Sequence, residues 1–133
     1  GLSQIRKLGK FTKTRTSLAE EYRRQLTQNS SITFQDLNNN SSAHHLMVIR
    51  VPEDMRLSLF KHLKANEIGV QVHYIPIYRH PFYETQFSRN DFPNSELYYS
   101  QALSLPLHCN LTKPEVVKIS QVVQEHLKRC VIQ

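Results

Sequence analysis

An α/β fold, a small mixed sheet with flanking helices, is predicted by three features of this sequence. Leu46-Met47-Val48-Ile49 is a continuous apolar run, the pattern of a strand covered on both faces. A helical spacing follows it through Leu57, Phe60 and Leu63, and the chain then returns to a β pattern at Val70-Gln71-Val72-His73-Tyr74. Finally, Val116, Ile119, Val123 and Leu127, with Val122 beside them, line one face of a closing helix that should pack on the sheet. The 133 residues suffice for one domain around one core.

The elements can be justified in order. Leu2, Ile5, Leu8, Phe11, Leu18, Tyr22 and Leu26 recur at helical spacing and predict one buried stripe on a long first helix. That periodicity starts at the second residue without a cap, so the chain is expected to begin inside a helix of a longer polypeptide. Asn29-Ser30-Ser31 and Asn38-Asn39-Asn40-Ser41-Ser42 are turn-rich, and Ile32-Thr33-Phe34 between them fits a short edge strand. A strand is expected from about His44 to Val51, ended by Pro52, with Glu53 and Asp54 placed where negative charge favours a helix start. Gly69 stands between a helical pattern and a β-branched run, so it is assigned the positive φ of the helix exit. Strand, helix and strand in that order form a βαβ-like unit, right-handed if its strands are parallel. Asn94 is a candidate cap for a short helix through Leu97, Tyr98 and Tyr99, and Leu103 to Leu107 reads as an edge strand closed by Pro106. Thr112-Lys113-Pro114-Glu115 has capping-box spacing, with Pro114 tolerated in a first turn.

Composition narrows the function classes. The formal charge is +6, and seven basic residues against two acidic ones between Gly1 and Arg24 place most of the excess on the first helix. A basic helix can track phosphates, but no nucleic-acid fold signature accompanies it, and a solvated face is the preferred account. No apolar run approaches the ~20 residues that span a bilayer. Cys109 and Cys130 lack disulfide or zinc spacing, which fits reduced, cytoplasmic thiols. Asn-x-Ser/Thr triplets begin at Asn29, Asn39, Asn40 and Asn110 and are read as chance. With glycine only at positions 1, 9 and 69, no phosphate-cradling loop can be drawn, and neither a nucleophile elbow nor a close acid pair is present.

The segment from Val70 to Tyr83 is the candidate site. Pro76 and Pro81 stiffen the backbone and push Ile75 and His80 toward extended geometry, so the chain should leave a strand and run as a loop. Side chains that stack and hydrogen-bond crowd onto it: His73, Tyr74, Tyr78, Arg79, His80 and Tyr83. Period-two alternation sends Val70, Val72 and Tyr74 to one face and Gln71 and His73 to the other. Two plainer readings stay open, an aromatic turn that covers the core and a His73 satisfied by a backbone carbonyl. His73 and His80, seven apart with Glu84 the nearest acid, make a weak metal pair, so no metal is assigned.

Ala-Leu-Ser-Leu-Pro-Leu from Ala102 to Leu107, placed between that loop and Asn110-Leu111-Thr112-Lys113-Pro114-Glu115, resembles the carboxy-terminal portion of the DegT/DnrJ/EryC1/StrS aminotransferases. Gly1-Leu2-Ser3-Gln4-Ile5-Arg6-Lys7-Leu8 resembles the latter part of that family's long helix. The loop string itself is closest to the pseudaminic acid branch, whose enzyme aminates a UDP-linked 4-keto-6-deoxy sugar. The resemblance implies the C-terminal small domain of the type I pyridoxal-phosphate aminotransferase fold, with residues 1–28 ending the long helix and 29–133 forming the small domain. It implies a two-stage transamination, in which pyridoxal 5'-phosphate carries nitrogen from glutamate, the usual donor, to the sugar's C4 ketone. The Schiff-base lysine is expected upstream of Gly1, so the fragment alone should be inactive. Its implied share is substrate binding: His73 and Tyr74 near the sugar, Arg79 and His80 near the diphosphate, Tyr78 and Tyr83 as walls, and Pro76 to hold the bend. Arg79 pointing into solvent is the plainer alternative. A homodimer in the cytoplasm, without nucleic acid or membrane, completes the expectation. The rivals are a stand-alone nucleic-acid-binding domain and a small-molecule regulatory domain.

Overall fold

The computed structural model describes residues 1–35 and 42–131, so the expected turn at Asn38 to Ser41 and the triplets at Asn39 and Asn40 lie outside the described residues. The chain runs α1 (Leu2–Ile5), α2 (Leu8–Leu26), β1 (Thr33–Phe34), β2 (Met47–Arg50), α3 (Glu53–Ala65), a 3₁₀ turn (Ile77–Arg79), α4 (Pro81–Glu84), a second 3₁₀ turn (Arg89–Asp91), α5 (Pro93–Gln101), β3 (Ala102–Leu105) and α6 (Lys113–Val131). The α/β class and the flanking helices are as the sequence predicts.

The three strands are ordered β1-β2-β3, with antiparallel neighbours throughout. Val70 to Tyr74, expected as a strand, contributes a single bridge: the Gln71 N–H donates to the Ser104 carbonyl at 3.2 Å and the Ser104 N–H to that of Gln71 at 2.8 Å. Since β2 and the Gln71 segment both run antiparallel to β3, they are parallel to each other. The βαβ-like unit therefore exists in direction, with β3 inserted between its two arms. β3 is the edge of the three-stranded sheet, as expected, but its outer side is bridged at Ser104 by Gln71 and it is buried at every position.

Register fixes which face meets the core. Met47 opposes Leu105 and Ile49 opposes Leu103, and these four are buried together against α2, α3 and α6. Leu18, Tyr22 and Leu26 come from α2, Leu59 and Leu63 from α3, and Val116, Val123 and Leu127 from α6. The closing helix buries the face expected of it, and it packs against both α2 and α3. On α3 the buried leucines are Leu59 and Leu63, whereas Leu57 is exposed and Phe60 only partly covered. Residues three or four apart share a helix face, so Leu59 and Leu63 form the true stripe and Leu57 drops out of it.

Helix ends show where local chemistry was read correctly. The Thr112 N–H and hydroxyl donate to Glu115 Oε2 at 2.7 and 2.6 Å, closing the expected box at the start of α6. Pro93 opens α5 and Phe92 occupies the cap, so Asn94 lies inside the first turn and caps nothing. At the end of α3 the Glu67 N–H donates to the Lys64 carbonyl and the Ile68 N–H to that of Leu63, a Schellman motif with Glu67 at φ 59°. Gly69, assigned the positive φ, does not have it. The helix stops two residues earlier than the glycine suggests, because Ile68 folds back into the core over Leu63.

The first helix also departs from expectation. It is broken between Ile5 and Leu8, and Leu2, Ile5 and Leu8 are exposed, so the buried stripe is confined to Leu18, Ala19, Tyr22 and Leu26. Tyr22 anchors that half, its hydroxyl donating to the Pro106 carbonyl at 3.0 Å. Part of the basic excess is tied down: Arg23 donates to the Gln35 carbonyl and lies 5.0 Å from the Phe34 ring centre, while Arg24 pairs with Glu21. No described helix is long and apolar enough to cross a membrane.

Candidate functional site

The outer face of the sheet is where the site begins. Residues opposite each other on neighbouring strands share a face, so Val48, Ser104 and Gln71 project to the side away from α2 and α6, and His73, two residues on, joins them. His73 Nδ1 and Ser104 Oγ share a hydrogen bond of 2.9 Å. The imidazole is thus held by a buried serine hydroxyl rather than by a backbone carbonyl, and its other nitrogen has no hydrogen-bond partner among the described residues. Ser104 escapes sequence reading because a lone serine inside Leu103-Ser104-Leu105 looks like an ordinary outward-facing residue.

Alternation holds through His73 and then fails. Val70 is buried and Val72 packs on the core, but Tyr74, expected with them, is 72% exposed. The His73–Tyr74 peptide is cis, and the two rings meet edge to face with centres 4.7 Å apart. Imidazole and phenol therefore stand side by side beyond β3, at the start of the proline-rich loop.

The loop follows its prolines. Pro76 precedes the 3₁₀ turn, His80 is extended as a residue before proline should be, and Pro81 opens α4. Tyr78 turns inward and stacks on Phe92, with ring centres 4.4 Å apart and planes 12° off parallel. Its hydroxyl is buried without a hydrogen-bond partner, beside Ser95 and the Glu96 carboxylate. Burial first, and the neighbouring carboxylate second, push the phenol pKa up.

Arg79 neither points into solvent nor offers its fork to a ligand. Nε donates to Glu96 Oε1 at 2.9 Å, Nη2 donates to Oε2, and the guanidinium carbon lies 4.6 Å from the centre of the Tyr99 ring. The Nε–Nη2 edge that suits a diphosphate is closed on a carboxylate. Arg79 in turn holds the Glu96 carboxyl down at about 2. This pair fastens the loop to α5. His80 is exposed at the head of α4, and Tyr83 sits against Phe82 and Phe87.

Two clefts flank this assembly. One of about 560 Å³ lies between loop and α5, with Tyr74, Pro76, Tyr78, Phe87 and Tyr98 among its walls; Tyr83 is not one of them. The other, of about 500 Å³, opens over β1 and β2 and is lined by Thr33, Phe34, Val48, Arg50 and Tyr98. Tyr98 belongs to both. Arg50, Glu96, Tyr98, Tyr99 and Ser104 are thus site residues that the sequence did not single out. The Ser95-Glu96 and Tyr98-Tyr99 pairs on a helix that buries no residue were the available signal. No group of three metal-binding side chains exists among the described residues.

Three comparisons bear on this geometry. The model of the DegT/DnrJ/EryC1/StrS aminotransferase family matches residues 1–124. The chain is 32% identical to the spore coat polysaccharide biosynthesis protein SpsC of Bacillus subtilis, over 96% of this chain and 35% of that protein. It is also 32% identical to the UDP-4-amino-4,6-dideoxy-N-acetyl-beta-L-altrosamine transaminase of Campylobacter jejuni, over 89% of this chain and 33% of that one. Among solved structures, Helicobacter pylori PseC, an aminotransferase involved in the biosynthesis of pseudoaminic acid, superposes with a TM-score of 0.88 at 28% identity, covering 97% of this chain and 36% of PseC. The chain spans about a third of the length of the curated relatives it matches.

Proposed function

We infer the function of this chain from its family: it belongs to the DegT/DnrJ/EryC1/StrS aminotransferases. The reading is that residues 29–133 serve as the small domain of a nucleotide-sugar aminotransferase and residues 1–28 as the end of its linking helix. The complete enzyme would move an amino group from glutamate to C4 of a UDP-linked 4-keto-6-deoxy sugar, in the cytoplasm and as a homodimer. The observation that carries this is the family match over residues 1–124, and the transaminase likeness at 32% identity supports the finer substrate.

Pyridoxal 5'-phosphate, when bound, supplies the carrier on which nitrogen moves. A site for the cofactor needs a lysine beside a ring and a carboxylate, and no lysine lines either cleft of the site. The contribution left to this chain is orientation of the sugar substrate. His73 suits that task because Ser104 fixes its ring, leaving one imidazole nitrogen to bond a hydroxyl or phosphate oxygen. Tyr74, exposed beside it, adds a phenol that can stack and hydrogen-bond at once. Pro76 limits the bend that carries both. His80 stands exposed nearby as a further donor, and Tyr78 walls the cleft. Arg79, paired with Glu96, and Tyr83, packed on Phe82 and Phe87, brace the loop and would bear on the substrate from there.

The test is a complete enzyme carrying this chain with His73→Ala, assayed with glutamate and a UDP-4-keto-6-deoxy-N-acetylhexosamine. Loss of one substrate-orienting hydrogen bond is expected to lower kcat/KM for the keto-sugar about tenfold to a hundredfold, with KM for glutamate unchanged. An unchanged kcat/KM removes His73 from the site.

A further inference from the structure

We propose that the His62–His126 ring stack between α3 and α6 is an acid-sensitive joint: a proton taken up by His126 sets positive charge against His62 and Arg129 and loosens the hold of α3 on α6. The joint lies on the helical face of the sheet, opposite His73, and is independent of the substrate reading above.

Each helix gives one face to the seam. Ser58 and His62 stand four apart on α3, as His126 and Cys130 do on α6, so each pair shares a side of its helix. The two imidazoles stack with ring centres 4.6 Å apart and planes 24° off parallel. Both are half-buried, and the residues that follow them, Leu63 and Leu127, are fully buried in the core. His126 Nε2 and Ser58 Oγ share a hydrogen bond of 3.0 Å, and Cys130 Sγ lies 3.6 Å from the same nitrogen. Counting protons assigns the tautomer. A serine hydroxyl has one proton, and Ser58 Oγ donates it to the Met55 carbonyl at 2.9 Å. The bond to His126 therefore runs from Nε2–H to Oγ, and Nδ1 is the nitrogen left to take a further proton.

Nothing in the seam favours that proton. From α3 the ring meets Ser58 and His62; on its own helix Cys130 touches it and Arg129 acts on it through space. The other helix packed on α6 is α2, and it adds no charged group that acts on the ring. Among the described residues no carboxylate acts on it either. Burial first, then His62 and Arg129, hold the His126 pKa below the ordinary imidazole value of 6.5. The unfolded chain therefore binds the proton more readily than the folded one. The contribution of His126 to stability is complete above pH 6.5 and is lost as pH falls through the folded pKa. One proton lowers the folding equilibrium constant by at most about tenfold per pH unit.

Urea denaturation of the 133-residue chain from about pH 8 to about pH 5, paired with an NMR titration of the imidazoles, tests the joint. His44 is also held low, by burial first, so the comparison of variants carries the test. Wild type is expected to lose stability on acidification. His126→Gln keeps a donor for Ser58, and the fall of its folding equilibrium constant over the same range should be about threefold smaller. In His62→Gln the His126 resonance should titrate closer to a free imidazole, because the facing ring is gone. Cys130→Ala keeps both rings and should keep the acid loss. An equal loss in His126→Gln, or a wild-type His126 that titrates as a free imidazole, would overturn the proposal. A His126 titration unmoved by His62→Gln would remove the stack as its cause and overturn it as well. Disappearance of the acid loss in Cys130→Ala would assign the response to the thiol, with the same result.

Discussion

Ser104→Ala isolates the one hydrogen bond that ties the candidate imidazole to the sheet. Ser104 is 5% exposed, in the middle of β3, and its Oγ lies 2.9 Å from His73 Nδ1. Alanine removes only the hydroxyl, so no cavity larger than one oxygen forms and the backbone bridge to Gln71 is kept. What is lost is a neutral hydrogen bond, worth about 1 kcal/mol net. His73 is half-buried, so water can satisfy its freed nitrogen and the larger penalty of an orphaned buried group is avoided. For a chain of 133 residues, about 1 kcal/mol corresponds to a fall in Tm of roughly 4 °C. Urea denaturation of Ser104→Ala, His73→Ala and the double variant closes a cycle whose coupling energy should be about 1 kcal/mol. In the complete enzyme, Ser104→Ala should also lower kcat/KM for the keto-sugar, because a ring free to rotate presents its second nitrogen for only part of the time. A coupling energy within about 0.3 kcal/mol of zero, the ordinary limit of additivity, would refute the claim that this serine positions the histidine.

The remaining predictions concern the loop lock and a helix exit. Glu96 has its pKa drawn down to about 2 from 4.5 by Arg79, so the folded state favours the carboxylate more than the unfolded chain does. The stability it contributes is complete above pH 4.5 and is lost as pH falls toward 2; Glu96→Gln should flatten that part of a denaturation-midpoint profile, and an unaltered profile would count against the pair. Glu67 holds a left-handed φ of 59° that glycine adopts without a Cβ penalty. Glu67→Gly is therefore expected to raise stability by about 0.5–1 kcal/mol in urea melts, after allowing for the greater freedom of glycine in the unfolded chain. Glu67→Ala, which keeps the Cβ, should not.

Local sequence determined what depends on nearest neighbours along the chain. The capping box at Thr112, the stop at Pro52, the extended His80 before Pro81 and the apolar face of α6 each need only residues within a turn or two, and each appears as read, whereas β2 is shorter than expected, Met47–Arg50, and buries one face rather than two. The family, too, was legible in the short runs around Tyr74 and Ser104, and the match over residues 1–124 agrees with it. Tertiary structure decided whatever depends on pairing across the sheet. Nothing near Leu103 announces that Gln71 will bridge the outer side of this edge strand at Ser104, or that all four of its residues will be buried. The same bridge brings Ser104 under His73, 31 residues apart in sequence. Charge behaved likewise: Arg79 was the natural anion ligand until α5 placed Glu96 against it, while Arg50, inconspicuous at the end of a strand, opens onto a cleft. Spacing along a chain fixes which face a side chain takes, but its partner is fixed only when the elements pack.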